Sequence, residues 1–213
     1  INFLKKRRQV INLVINVWFV GIFFCKGLII FKPITLAECK TQLRVESSFT
    51  DDDTWINDTI SVVREQVEGL INRALMNQEL ELALPEFKDV IELPKPPLSS
   101  LTSVKYYDDD NALQTLASSE YIVNDYDEPT TVNKLSTINY PSTFERPDAV
   151  RVRYQAGYAD AASVPAMVKQ AMLMIMTDLY DNRSSITNPS FTTKVEWTPQ
   201  ILSLLSLNKT SWV

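Results

Sequence analysis

The stretch DDTWINDTISVVREQVEGLINRAL, residues 52–75, decides the fold, because its apolar residues recur every three or four positions. That spacing predicts an amphipathic helix from about Asp52 to Leu75. The segment Thr50–Asp53 resembles a capping box and favours a helix start there. Gly69 costs about 1 kcal/mol relative to alanine inside a helix, and we expect it at a close helix crossing. The apolar positions are Ile56, Ile60, Val63, Val67, Leu70, Ile71 and Ala74.

Helical periodicity also flanks this segment on both sides. It predicts a short helix over Ile34–Val45, a longer one that Pro165 opens and that runs to about Asn182, and a last short one over Gln200–Leu207. Four of the five methionines fall in the longer helix, where we expect core packing or a subunit interface. Two helices therefore precede the middle of the chain and two follow it.

The middle of the chain has the period of two that is typical of strands. The segment 124–149 is polar and interrupted by prolines, and we expect a long loop with a short strand. The predicted fold is α+β, a helical bundle (34–76 and 163–207) with a central antiparallel β insertion (77–156). The predicted strands are Gln78–Leu84, Val90–Leu93, Leu101–Tyr107, Leu113–Leu116, Tyr121–Val123 and Val150–Tyr154.

Residues 1–33 differ from the rest of the chain. They carry six basic side chains and no acid, whereas the other 180 residues carry 15 basic and 26 acidic side chains, a net charge of −11. The uncharged run Val10–Cys25 is shorter than the ~18–20 residues of a comfortable membrane span. Ile, Asn, Phe and Lys make up 18 of the first 32 residues. AT-rich DNA encodes these four residue types when it is translated without selection on the protein product. We interpret 1–33 as upstream read-through that is not native; the alternatives are a membrane anchor over 5–31 and a structured part of the domain.

The composition excludes several classes of function. The chain has no histidine, which removes Ser-His and Cys-His nucleophile pairs and most zinc sites. Four scattered glycines supply no phosphate-binding loop, and Cys25 and Cys39 give neither a metal knuckle nor a disulfide framework. The acidic body disfavours nucleic-acid binding. We predict no enzyme, no cofactor and no metal.

Two acidic patterns were candidates for chemistry. Asp108–Asp110 fails the calcium-loop pattern, because Leu113 and Ser119 stand where that pattern needs glycine and glutamate, and we expect an exposed turn. Glu65 and Glu68 lie on one helical face, as the paired carboxylates of a hydrolase would, but nothing in the sequence seats a substrate between them.

The C-terminal segment is unusually apolar for a chain end. Docking against another subunit explains this better than exposure to solvent. The predicted partner interface comprises Trp197, Ile201, Leu204, Leu205 and Trp212.

Several segments, in this order along the chain, resemble the small head–tail connector (adaptor, head-completion) proteins of long-tailed bacteriophages and prophages. They are ITLAECKTQLRV at 34–45, VEGLINRAL at 67–75, IELPKPPLSSLTSVKYYDDDNALQTL at 91–116, VRVRYQAGYADAASVPAMVKQAML at 150–173 and DLYDNR at 178–183. The resemblance covers about 34–183, and the family has no counterpart of residues 1–33.

The resemblance implies a non-enzymatic virion protein at the head–tail junction. It implies a ring of about a dozen copies that binds the portal and the neck or tail-completion proteins after DNA packaging, with DNA passing through the lumen without sequence-specific binding. Assembly would take place in the bacterial host cytoplasm. The competing hypotheses from the residues are a membrane-anchored small binding domain that uses 5–31, and a carboxylate hydrolase.

Overall fold

The computed structural model describes residues 32–183 and 197–210, together with the backbone of 21–24. The described residues contain four helices and two antiparallel sheets, which confirms the α+β class. The helices are α1 (Leu36–Leu43), α2 (Asp53–Ile71), α3 (Ala166–Asp181) and α4 (Pro199–Ser206).

The strands form two antiparallel sheets. The strand bounds are β1 (Gly21–Phe24), β2 (Gln78–Leu84), β3 (Val90–Glu92), β4 (Leu98–Tyr107), β5 (Leu113–Thr115), β6 (Tyr121–Asn124), β7 (Thr131–Lys134) and β8 (Val150–Ala156). The larger sheet has the order β1-β2-β8-β4-β5 and the smaller β3-β7-β6.

The second sheet departs from the predicted β insertion. The segment 124–149 was expected as a long loop with one short strand, and that strand, β7, is the centre of the smaller sheet. It pairs Val132 with Ile91 of β3 on one side and with Val123 of β6 on the other. Val132 and Ile91 are buried, so this sheet contributes to the core instead of lying on the surface.

The four helices share one hydrophobic core, and the strands surround a second. The inward alternation predicted for β2 is confirmed, because Leu80, Leu82 and Leu84 are all buried. The helical core comprises Ile34, Cys39, Ile56, Ile60, Val63, Val67, Ile71, Leu75, Val164, Val168, Ala171, Met172, Ile175, Met176, Ile201 and Leu205. Met172 and Met176 are therefore core residues, whereas Met167 is partly exposed.

The ends of α2 differ from the prediction. The helix ends at Ile71, four residues early, because Asn72 adopts the left-handed conformation (φ 56°) that terminates helices. Asp52 occupies the N-cap without a side-chain cap hydrogen bond, so the predicted capping box is absent there. The capping box that does form lies at α1, where Thr35 and Glu38 cap each other.

Asp52 instead joins the start of α2 to the end of α3. Its carboxylate accepts hydrogen bonds from the Tyr180 hydroxyl (2.5 Å) and from Arg183 Nη1 and Nη2 (3.1 and 2.8 Å). The Arg183 guanidinium also stacks over the rings of Trp55 and Tyr180. The two long helices are thereby tied together by groups that remain reachable by solvent.

Hydrogen bonds among four separate parts of the chain join the helical core to the sheets. The amide of Ala74 donates to Pro96 O (3.0 Å), and the amide of Gly157 donates to Pro97 O (2.8 Å). The Glu68 carboxylate accepts from the amide of Leu75 (2.8 Å), and Lys95 Nζ donates to Glu68 O (3.0 Å). We call these residues, 68, 74–77, 95–97 and 157, the joint.

The predicted leader contributes one element to the described structure. The backbone of β1 pairs antiparallel with β2 at the edge of the larger sheet, with Gly21 opposite Ala83 and Phe24 opposite Leu80. The domain division at residue 33, and the interpretation of 1–33 as read-through, stay predictions.

Two aspartates make the fold acid-sensitive. Hydrogen bonds from Arg183 to Asp52, and from Arg146 to Asp148, lower the pKa of each carboxyl from the ordinary 3.8 to about 2. A lowered folded-state pKa gives stability that is present above the unfolded pKa and is lost as the pH falls through the folded one. We therefore expect the free energy of unfolding to fall between about pH 4 and pH 2. Urea unfolding across this range should show a smaller fall for Asp52→Asn and Asp148→Asn; an unchanged pH dependence in both variants would contradict the assignment.

Candidate partner interface

The C-terminal segment is held on the chain by its own hydrogen bonds. Thr198 caps α4 by accepting from the amide of Ile201 (3.4 Å), and Pro199 occupies the first turn. Past the helix, the amide of Thr210 donates to Ile71 O (2.9 Å), and Asn72 Nδ2 donates to Thr210 O (3.3 Å). The segment is thus attached to the end of α2.

The predicted interface residues do not form one exposed patch. Ile201 and Leu205 are each 2% exposed and lie in the helical core, so they bind this chain instead of presenting their side chains to a partner. Trp197 and Leu204 are partly buried against the same core. Trp212 lies outside the described residues.

The exposed apolar residues of α4 lie on its other side. Leu202 is 42% and Leu207 79% exposed, and they border a surface whose middle is formed by Ser203 and Ser206. Ser206 Oγ donates to Ser203 O (2.8 Å), which satisfies that hydroxyl within the helix. We call Leu202, Ser203, Ser206 and Leu207 the α4 face. None of these four residues was among the predicted interface residues, although helical spacing from Ile201 and Leu205 places Leu202 and Leu207 away from the core.

Helix α2 presents a second outward surface. Asp58, Val62, Glu65 and Gly69 follow one another at intervals of four, three and four residues, and all four are exposed, Val62 by 49%. A Cβ built on Gly69 has nothing within 4 Å. The expected helix crossing at Gly69 is therefore not made inside the described part of the chain. We call these four residues the α2 stripe.

The acidic candidates have other roles. Asp108 organises the β4–β5 turn by accepting from the amides of Asp110 and Ala112 and from Gln114 Nε2. Glu65 is exposed, whereas Glu68 is buried at the joint, so the two carboxylates do not face one pocket. Across the described ranges no group of three or more metal-ligating side chains is arranged to hold an ion.

The helices of the described ranges bear on the membrane-anchor hypothesis. None of those in the described ranges has both the length and the apolar character of a membrane span. The anchor hypothesis falls on residues 5–31, of which only 21–24 are described, and these form a strand.

A family model for the phage gp6-like head-tail connector protein matches residues 33–140, half of the chain. The chain belongs to this head–tail connector family. The connector is accordingly a structural virion protein of the head–tail junction, as its sequence resemblance implied.

The connector's fold is also found in solved structures. A chain from the neck of an empty GTA particle, computed with C6 symmetry, matches with a TM-score of 0.71 and 17% identity, covering 90% of the connector and 96% of that chain. A chain from the virion of a native gene transfer agent (GTA) particle matches with a TM-score of 0.71 and 18% identity over 91% and 97%. One from the neck of a native GTA particle, computed with C12 symmetry, matches with a TM-score of 0.63 and 16% identity over 90% and 96%. A search of curated proteins finds no match.

Proposed function

We propose that the connector works as a closed ring of about a dozen copies, placed between the portal and the neck or tail-completion proteins once DNA is packaged. The observation that carries this proposal is the family match over residues 33–140. The fold supports it, since two chains with this fold come from particle necks computed with C6 and C12 symmetry. The copies would assemble onto the particle in the cytoplasm of the bacterial host.

The charge of the body suits a ring around DNA. Residues 34–213 carry a net charge of −11, and a lumen lined by some of these acids would repel the phosphate backbone. DNA would then pass without sequence-specific binding. A ring of this kind works without a cofactor or a catalytic group, because its function is to join two other assemblies.

The proposal predicts the native mass of the full chain. Measured by native mass spectrometry, the protein alone or mixed with the portal protein encoded beside it should give a ring of about a dozen copies. Identical copies that meet through two different faces close such rings, and some close only on a template, which is why the portal is included.

The result that would overturn the proposed function is a monomer that neither forms rings nor binds the portal. A ring that forms only when the portal is present would support the proposed function and would show that the portal acts as the template. As the control for non-specific association, the portal is mixed with an unrelated acidic protein of similar mass, which should stay unbound.

A further inference from the structure

We propose that the α4 face of one connector packs on the α2 stripe of the next copy, and that this contact builds the ring. The inference rests on the proposed ring and names the surfaces that form it. The occupant of each surface is thus a second copy of this chain.

The α2 stripe has a feature that this chain alone does not explain. Gly69 lies inside a 19-residue helix, where glycine is less favourable than alanine by about 1 kcal/mol, and a methyl group there would meet no atom within 4 Å. Val62, two turns earlier on the same line, leaves 49% of its surface in water. A neighbouring helix packed across this line would bury Val62 and would approach the backbone closely at Gly69.

The α4 face has the shape and the polarity to be that neighbour. Its two exposed leucines stand on either side of small serines, so a ridge such as Val62 fits between them. Leu207 is 79% exposed, an unusual fraction for a leucine beside a core helix. Because Ser206 already donates within its own helix, covering this face leaves that hydroxyl satisfied.

The charges of the two surfaces are complementary. The α2 stripe carries the carboxylates of Asp58 and Glu65. Residues 199–210 contain no acid, and their one charged side chain is the exposed Lys209, two residues beyond Leu207. Glu65 is paired with Arg64 of its own chain (2.9 Å), which offsets part of this negative charge. Opposite charges around an apolar centre favour this pairing over a contact between two α2 stripes, where Asp58 and Glu65 of both copies would meet.

The two surfaces are different, so the contact is heterologous and suits a ring. Both face away from the shared core, in which Ile201 and Leu205 hold α4. One chain therefore presents both surfaces at once, and each copy is able to bind one neighbour through each surface.

Chemical cross-linking tests the contact. We would combine Val62→Cys with Ser203→Cys in the full chain carrying Cys25→Ser; Cys39 is fully buried. Rings formed alone or on the portal and treated with a short bis-maleimide should give a ladder of covalent oligomers up to the ring. The single variants Val62→Cys and Ser203→Cys should stay monomeric on a denaturing gel, because neither cysteine meets its own copy in a heterologous contact.

A substitution pair tests whether the contact drives assembly. Leu207→Asp places a carboxylate against the acidic α2 stripe, and we expect the concentration needed for ring formation to rise at least about tenfold. Leu113→Asp is the matched control, since Leu113 is 48% exposed on β5 and lies on neither surface. Far-UV circular dichroism should show both variants folded.

The outcomes separate this inference from the proposed function. If the wild-type chain forms rings and the double-cysteine protein gives no ladder, or if Leu207→Asp forms rings as readily as Leu113→Asp, the inference is overturned and the ring stands. If the wild-type chain forms no ring with or without the portal, the proposed function fails, and this contact fails with it.

Discussion

Gly157→Ala is expected to destabilise the connector severely. Gly157 has φ of +110°, a conformation that residues with a side chain rarely adopt, and a Cβ there would lie 2.0 Å from Met76 O and 2.9 Å from the amide nitrogen of Asn77. Both clashing atoms belong to the backbone, so no rotation of a side chain relieves them. The backbone strain alone costs about 1–3 kcal/mol, and displacing the joint adds to it. We expect a total loss above about 3 kcal/mol.

Urea unfolding followed by circular dichroism measures this loss, and Gly69→Ala is the matched control. Gly69 lies in a helix with open space around it, so the same substitution should raise the free energy of unfolding by about 0.5–1 kcal/mol. Opposite signs for the two glycines are the expected result. A Gly157→Ala variant within about 0.5 kcal/mol of wild type would show that Gly157 does not approach Met76 as closely as the structure has it.

The helices and most strands were predictable because their apolar spacing matches the element that forms. The periodicity of 52–75 placed α2, and the alternation of leucines placed β2 at its observed bounds, Gln78–Leu84. The end of α2 was not predictable from periodicity, because Ala74 and Leu75 continue the apolar pattern while Asn72 has already left the helix. Both residues are buried at the joint, Ala74 in the sheet core and Leu75 in the helical core.

The three strands of the second sheet were predicted, but their pairing was not, because β3 and β7 are short and far apart in sequence. β3 has three residues and β7 four, and their pairing joins Ile91 to Val132 across a long stretch of chain. Local patterns carry little information on such a contact. A single buried valine, Val132, is the clearest trace that β7 leaves in the sequence.

The predicted interface residues include buried residues of α4, and whether this helix binds a partner stays a prediction. Apolar content marks a segment as buried without saying whether the covering surface belongs to the same chain. In α4, Ile201 and Leu205 are covered by this chain, whereas Leu202 and Leu207 are exposed. Only the placement of α3 beside α4 separates the two sets. The role of Trp197 and Trp212 in binding a partner stays a prediction.

Glu68→Ala should cost about 3 kcal/mol of the free energy of unfolding. Its buried carboxylate accepts from the amide of Leu75, which lies beyond the end of α2, and it is 3.6 Å from Arg64 Nη1. Removing the carboxylate leaves the Leu75 amide buried without its acceptor. Among the described residues, it also leaves the positive charge of Arg64 with only the carboxylate of Glu65 beside it. Since the joint sets how the helices sit on the sheets, we also expect weaker ring assembly in this variant.

Two matched changes separate this role from a general effect of charge. Glu65→Ala removes a neighbouring carboxylate that is 70% exposed, and it should change the free energy of unfolding by no more than about 0.5 kcal/mol. Glu68→Gln keeps an oxygen for the Leu75 amide and should lose much less than Glu68→Ala. Equal losses for the alanine and glutamine variants would show that the hydrogen bond to Leu75 does not hold the joint.

Burial raises the pKa of Glu68 in the folded state, so its ionisation costs stability as the pH rises above about 4.5. The Glu68→Gln variant has no such ionisation, so its free energy of unfolding relative to wild type should be more favourable at pH 7 than at pH 4.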